Sequence, residues 1–240
     1  MLKNTWEKTL YFTLLSKEEF LSPLVKQESS FQVTESFGVI ACLIAANSLD
    51  NLFHAEEYIR SFWGSYEFFT ENGSIASALQ DFMVHQKLTL VLAESCTGGY
   101  LSHKITLESG ASDYFLGSFV TYSNALKKQI LRVQESSLEK HGAVSEEVVK
   151  EMLQGVLSLS RADIGIAVSG IAGPLGGSLE KPVGTVFAAF GSKNNYASGF
   201  FHIRGPREEV IILTASRLLG MLYRKLRYQA ISPGFNNFIL

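Results

Sequence analysis

Cysteine is nearly absent from this 240-residue chain: the two present, Cys42 and Cys96, stand far apart. No disulfide framework and no CxxC pair can be built from them, which fits a reducing compartment. Blocks of like charge are missing as well. Lys and Arg number 21, Asp and Glu 23, and the net charge is -2. That leaves no broad basic face for nucleic acid. Long apolar runs are also lacking, and the longest, Phe37–Ala46, is too short to span a bilayer. Lys3, Glu7, Lys8, Lys17, Glu18 and Glu19 interrupt the stretch where a signal peptide needs an unbroken apolar core. No HExxH and no repeated Cys/His spacing offers a metal centre. GxxxxGK[ST], GxGxxG and GxSxG are all absent. The expectation is a cytoplasmic protein with no membrane partner, no nucleic-acid partner, no metal and no cofactor.

What is present is a globular composition, 46% apolar and 18% charged, with length enough for one or two domains. The chain is organised around Leu88–Tyr100. Leu88 to Ala93 is an apolar run that reads as a buried strand. Glu94-Ser95-Cys96-Thr97-Gly98-Gly99 follows as a small polar turn. Tyr100, Leu101, Ile105 and Leu107 then recur at helical spacing. Strand, tight turn and helix expose small side chains and amide N–H groups at a helix N-terminus, a place that suits a nucleophile or an anion. The same pattern also fits an ordinary turn in which Ser95 or Thr97 caps the helix.

Trp6, Leu10, Phe12 and Leu15 fit a short helix or a strand, and Pro23 breaks the pattern. Phe31–Ala46 reads as one or two strands, His54–Trp63 as a helix, and Tyr66–Phe69 as a short aromatic strand. No titratable cluster shows in this first third, and His54 reads as a solvated helix-start residue. Ser74–Gln86 is a helix with Ser74 as cap and Ile75, Leu79, Phe82 and Met83 as its buried stripe. The domain boundary is therefore placed near 73, giving a small α/β region over 1–73 and a second domain over 74–230. Beyond the organising turn, Leu116–Tyr122 reads as a strand and Asn124–Leu131 as a short helix. Glu135–Gly142 is a loop or helical turn, and Ser145-Glu146-Glu147 opens a helix to about Ser158. Ile164–Ser169 is a strand of the type buried on both faces. A glycine-rich loop, Gly170–Gly184, precedes strands over Thr185–Gly191 and Tyr196–Ile203. Gly205-Pro206-Arg207 starts the last helix, and the tail after Ser232 is expected to be loosely held. The alternation predicts an α/β fold: a three-layer α/β/α domain with a mixed sheet, preceded by the small N-terminal unit.

Three groups can carry chemistry. Ser95 is a nucleophile that needs a base, and none of His85, His103, His141 and His202 sits in a triad setting. Tyr122 ends a strand, and Lys127 lies one turn into the next helix. A lysine near Ser95 can serve as its base if burial lowers its pKa, with Tyr122 relaying a proton or orienting the amine. Read alone, with Lys128 beside it, Lys127 reads as a solvated helix lysine. The third group is Ser169-Gly170-Ile171-Ala172-Gly173-Pro174, where small residues let a ligand approach the backbone. Arg207 suits a phosphate or carboxylate, or is simply exposed.

AESCTGG at 93–99, FLGSFVTYSNALK at 115–127, HGAVSEE at 141–147, SGIAGP at 169–174, EKPVGTV at 180–186 and GPR at 205–207 resemble, in order, the motifs of the CinA C-terminal domain family, the nicotinamide mononucleotide amidohydrolases. The resemblance covers roughly 75 to 226. It implies a metal-independent deamidase that converts nicotinamide mononucleotide to the acid and ammonia, with Ser95 as nucleophile, Lys127 as base and Tyr122 as helper. It implies substrate contacts from Cys96, Thr97, Gly98, Gly99, Asn124, Ser169, Gly170, Ala172, Gly173 and Arg207. The partners it implies are a small nucleotide substrate and further copies of the chain in a homo-oligomer. Three positions depart from the family pattern. Ser169 stands for a threonine, Ala125-Leu126 for Glu-Ala, and Ile203–Arg207 for F-x-G-D-R, with the aspartate lost and the arginine kept. Long members carry a molybdopterin-binding-like domain, for which this chain is too short, and a small linking domain, of which residues 30 to 73 resemble a diverged version. A catalytically silent CinA-like protein linked to competence or DNA damage is the other reading.

Overall fold

The computed structural model describes residues 6–13, 17–22, 30–36, 38–68 and 73–229. The break at Pro23, Leu15, Phe69 and the tail after Ser232 lie outside the described residues. The chain divides into two compact units between Ala78 and Leu79.

In the first unit β1 (Trp6–Thr13), α1 (Lys17–Leu21), β2 (Ser30–Ser36), β3 (Val39–Ala46), α2 (Leu49–Trp63) and β4 (Glu67–Phe68) follow in order. The four strands form an antiparallel sheet in the order β2-β3-β1-β4. The stretch that fitted helix or strand is a strand, because alternate residues Leu10 and Phe12 turn inward beside Ile40, Cys42 and Ile44. α2 starts at Leu49 and not at His54, since Ser48 Oγ accepts from the Asn51 N–H and caps it there. His54 is exposed on that helix. The unit does hold a titratable cluster that local sequence did not reveal. Arg60 Nε and Nη2 donate to the two oxygens of Glu67 at 2.8 and 2.9 Å, and Nη1 donates to Glu56 at 2.7 Å. Lys8 donates to the same Glu56 oxygen at 2.8 Å. These residues come from β1, α2 and β4, and only the folded sheet brings them together.

The division falls inside α3 (Ile75–His85), whose Ser74 hydroxyl accepts from the Ser77 N–H. Ile75, Leu79 and Met83 of its stripe are buried, and Phe82 is half-buried. The second unit continues with β5 (Leu90–Glu94), α4 (Tyr100–Thr106), β6 (Phe115–Val120), α5 (Asn124–Leu131), α6 (Glu135–His141), α7 (Glu146–Ser160), β7 (Ile164–Gly170), β8 (Thr185–Gly191), β9 (Tyr196–His202) and α8 (Arg207–Tyr228). The sheet order is β6-β5-β7-β8-β9. β5 runs parallel to β6 and β7, while β8 and β9 form antiparallel pairs. This is the mixed sheet the alternation predicts. α7 covers β5, β7 and β8, with α5 and α6 against it, and α8 packs on β8 and α4. Helices therefore flank the sheet in three layers.

β5 is flanked on both edges and covered on both faces, so all five of its residues are buried and only apolar side chains suit its first four places. α7 crosses the end of α5 so closely that a Cβ on Gly155 would lie 2.0 Å from the Leu131 carbonyl oxygen. Glu135–His141 is a full helix. Leu107, placed in the buried stripe by spacing, is 64% exposed, because α4 ends at Thr106 and the chain turns away.

Candidate active site

The C-terminal ends of β5, β6 and β7 bring the motifs together. β5 ends at Glu94, and the chain reverses through Ser95–Gly99 into α4. Gly98 and Gly99 have φ of 62° and 99°. A Cβ would find nothing within 4 Å at Gly98 and only Val120 at 3.7 Å at Gly99. The backbone conformation, more than crowding, therefore selects glycine there. Gly170 sits across from this turn, and a Cβ on it would meet Cys96 Sγ at 3.0 Å.

Lys127 is 1% exposed. Ser123 caps α5, with its hydroxyl accepting from the Leu126 N–H, and this start directs Lys127 inward one turn later. Its Nζ lies 2.9 Å from Ser95 Oγ, 2.7 Å from the Thr121 carbonyl oxygen and 3.2 Å from that of Tyr122. As an ammonium the group donates to all three. As a neutral amine it keeps two N–H donors for the carbonyls and turns its lone pair to the Ser95 hydroxyl, which then donates. None of the described carboxylates forms an ion pair with it. Burial is therefore unopposed by a counterion and draws its pKa down to about 8. The solvated-lysine alternative is overturned.

Cys96, next to Ser95, is 7% exposed. Burial pushes its thiol up to about 12, against a smaller opposing pull from Lys127, so it stays a thiol at neutral pH.

The structure uses several predicted ligand contacts internally. Thr97 Oγ1 donates to Glu94 Oε2 at 2.7 Å, and the Gly99 N–H donates to the same oxygen at 3.0 Å. The Gly98 N–H donates to the Ser95 carbonyl. Of the other amides in the turn, that of Thr97 has no acceptor among the described residues, and that of Cys96 meets only its own sulfur. Neither Ser95 nor Thr97 caps α4. That role falls to Glu94, which is 0% exposed and accepts from the Leu101 and Ser102 amides as well. The helix end is filled by this internal carboxylate, so it is not an open anion site. Local sequence missed Glu94, although a charged residue closing an otherwise apolar buried strand is a readable signal.

Tyr122 differs from its expected place. Its ring is exposed, and its hydroxyl accepts from Arg207 Nη2 at 3.2 Å. It holds Lys127 through its backbone carbonyl. Arg207 Nη1 donates to the Gly173 carbonyl at 2.7 Å, which joins the start of α8 to the glycine loop. Pro206 is the residue before the helix, and Arg207 its first. Asn124 is the exposed first residue of α5, and Ala172 and Gly173 are buried. Ser169 donates its hydroxyl proton to the Ala143 carbonyl at 2.7 Å, so what remains for a ligand is its lone pairs. His103 is exposed, and His141 lies 3.7 Å from Glu147. Among the described residues no cluster of three His, Cys, Asp or Glu could hold a metal ion, and no helix is long and apolar enough to cross a membrane.

The model of the CinA C-terminal domain matches residues 72–226. The chain belongs to this family. A CinA-like protein of Endomicrobium trichonymphae is 37% identical over 87% of this chain and 52% of its own length. A putative competence-damage inducible protein of Moorella thermoacetica is 42% identical over 77% of this chain and 44% of its own length. The chain thus spans about half the length of these curated relatives. Among solved structures, the competence damage-inducible protein A of Klebsiella pneumoniae is 33% identical, with a TM-score of 0.63 over 65% of this chain and 97% of that one. A competence/damage inducible protein of Agrobacterium tumefaciens is 36% identical, with a TM-score of 0.61 over 65% of this chain and 95% of that one. CinA membership accounts for the order of the motifs, and the geometry above brings those at 93–99, 115–127, 169–174 and 205–207 together.

Proposed function

We propose that this CinA domain is an amidohydrolase that deamidates nicotinamide mononucleotide to nicotinate mononucleotide and ammonia through a serine–lysine mechanism. The observation that carries the reading is the buried Lys127 amine, 2.9 Å from Ser95 Oγ and without a carboxylate partner. Hydrolysis of an amide needs a nucleophile, a base to take its proton, an acid to give that proton to the leaving nitrogen, and donors for the oxyanion. Neutral Lys127 takes the Ser95 proton as Oγ attacks the carboxamide carbon. The resulting ammonium delivers it to the departing nitrogen, and ammonia leaves. Water then attacks the acyl-serine ester, again giving its proton to Lys127, and the acid is released as Ser95 regains its hydrogen. The Cys96 and Thr97 amides are the donors assigned to the oxyanion. Arg207, held against Gly173 and Tyr122, is the cation assigned to the substrate phosphate, because the α4 terminus is already filled. We assign the first unit as a diverged linking domain.

The test is ammonia release from nicotinamide mononucleotide by the purified chain and by Ser95→Ala. The variant should lose about 10³-fold or more in kcat with its fold intact. Near-wild-type turnover by the variant would remove the covalent step. No turnover by the wild type would favour the reading in which this CinA domain is catalytically silent.

A further inference from the structure

We propose that Glu94 is a positioning residue that holds both halves of the Ser95–Lys127 pair in register. The reaction assigned to it rests on the deamidase reading above.

Its two oxygens lie within hydrogen-bond reach of six donors, of which the Ser102 hydroxyl is shared with the Gly99 carbonyl at 2.9 Å. Oε2 accepts from Thr97 Oγ1 at 2.7 Å, the Gly99 N–H at 3.0 Å and the Leu101 N–H at 3.1 Å. Oε1 accepts from the Ser102 N–H at 2.9 Å, Ser102 Oγ at 2.7 Å and Ser118 Oγ at 3.0 Å. No Lys, Arg or His pairs with this carboxylate among the described residues. A fully buried anion without a cation is tolerated only when hydrogen bonds replace its water, and here every one comes from the turn, from α4 or from β6.

That set of partners reaches the reacting atoms from two sides. On one side the carboxylate fixes Thr97, Gly99 and the first amides of α4, so the turn that presents Ser95 is clamped just beyond the nucleophile. On the other side the Glu94 carbonyl accepts from the Thr121 N–H at 2.8 Å, and the carboxylate accepts from Ser118 on β6, the strand that Thr121 directly follows. Thr121 then accepts from Lys127 Nζ at 2.7 Å. The nucleophile follows β5 and the amine lies on α5, which follows β6, and residue 94 is bonded to the supports of both. Both carboxylate oxygens are occupied by these donors, so Glu94 acts through Ser95 and Lys127 and not on the amide itself.

The charge state matters as much as the shape. All six partners donate. A glutamine of equal size would place an NH₂ among three of them whichever way it turned. The hydroxyls can rotate to accept, but a backbone N–H cannot, so at least one amide of the turn or helix loses its acceptor.

The experiment compares wild type and Glu94→Gln in thermal unfolding, in steady-state ammonia release from nicotinamide mononucleotide, and in the rate at which a fluorophosphonate labels Ser95. A displacement of about 1 Å in a reacting group costs ~10²-fold. The expected result is therefore a kcat lowered about 10²-fold with KM changed less than threefold, and a labelling rate lowered in parallel. An unchanged kcat, or a loss confined to KM, overturns the proposal. If the wild type releases no ammonia, the substrate reading fails by itself, and the labelling rates still decide the role of Glu94. Should Glu94→Gln not fold, the double variant Ser102→Ala/Ser118→Ala strips two hydroxyl donors and keeps the charge. It should lower kcat and labelling about tenfold with KM held, and wild-type values for both would overturn the proposal.

Discussion

Arg60 in the first unit and Lys127 in the second both draw a positive group away from water, in opposite ways. Arg60 is clasped by two carboxylates, Glu56 and Glu67, whose side chains are 7% and 4% exposed. Hydrogen bonding to Glu67 is the largest influence on it and, with Glu56, raises its pKa above the ordinary arginine range. It is a fixed charge at every accessible pH and can only hold structure. Lys127 is more deeply buried and meets no carboxylate, only two carbonyls and a hydroxyl. Its pKa falls to about 8, so it exchanges a proton within the physiological range. A buried cation with its counterion keeps its proton, and one without gives it up near neutral pH.

Replacing Lys127 should break the comparison hardest. Lys127→Met should lose about 10³-fold or more in kcat/KM for ammonia release. Lys127→Arg should fail as badly, because a guanidinium stays charged and cannot take the serine proton. An arginine variant that kept most of the activity would make the residue an electrostatic anchor and no base. The sign of the pH dependence follows from the lowered pKa. Protonation below about 8 removes the lone pair, so kcat/KM should rise about tenfold from pH 7 to above 8 and then level off. A profile flat across that window would refute the assignment. For stability the same shift works the other way. The unfolded lysine, near ~10.4, binds its proton first, so the folded state is penalised below about 8 and the penalty fades as pH rises towards the unfolded value. At pH 7 Lys127→Met relieves that penalty but leaves the Thr121 and Tyr122 carbonyls without their donor, so it should unfold within a few degrees of the wild type while being inactive.

Arg60→Met should show the reverse pattern. Removing the shared partner leaves Glu56 and Glu67 buried without it. For a fully buried network that costs 3–5 kcal/mol, and since the Arg60 side chain is 33% exposed the expected loss is about 2 kcal/mol. It should appear as a lowered unfolding midpoint, with kcat within about twofold of wild type. A large loss of kcat at an unchanged midpoint would mean that the first unit serves the chemistry and that the two cations are not so different.

The residues on which this comparison turns were the ones local sequence said least about. Three helix starts set by a single serine were legible, since Ser74, Ser123 and Ser145 each accept from an amide three residues on, while the one set by Ser48 was missed. The sheet of the second unit was legible from the apolar runs of β5 and β7. Lys127 was recognisable only through the motif around it, since its partner Ser95 lies 32 residues away and its neighbour Lys128 is a surface residue. The Glu56–Arg60–Glu67 cluster escaped notice because Glu67 arrives from β4 beyond the end of α2, and pairing across a turn leaves no periodic signal. Glu94 escaped because six donors from three elements cannot be inferred from a glutamate at the end of a strand. What spacing encodes is local. The polar networks of both units are long-range, and they determine which charges are neutralised.

Lys128 supplies the smallest expected effect and the sharpest control. It is adjacent to Lys127 on α5 and has the same side chain, but it points outward, 40% exposed, to Glu135, which is 67% exposed. Water solvates both charges whether or not they touch, and holding two long side chains together costs rotamer freedom, so such a pair adds little. Hydrogen bonding to Lys128 keeps the Glu135 carboxyl below its ordinary value, so what the pair adds is present near neutral pH and is lost as pH falls through that lowered value. Lys128→Met should leave the unfolding midpoint within about a degree and kcat/KM within about threefold of wild type, with the pH midpoint still near 8. Measured beside Lys127→Met under one set of conditions, it separates the general loss of a positive charge on α5 from the loss of the amine at Ser95. If Lys128→Met lowered kcat/KM as far as Lys127→Met, the activity would depend on the charge of the helix, and burial without a counterion would no longer explain it.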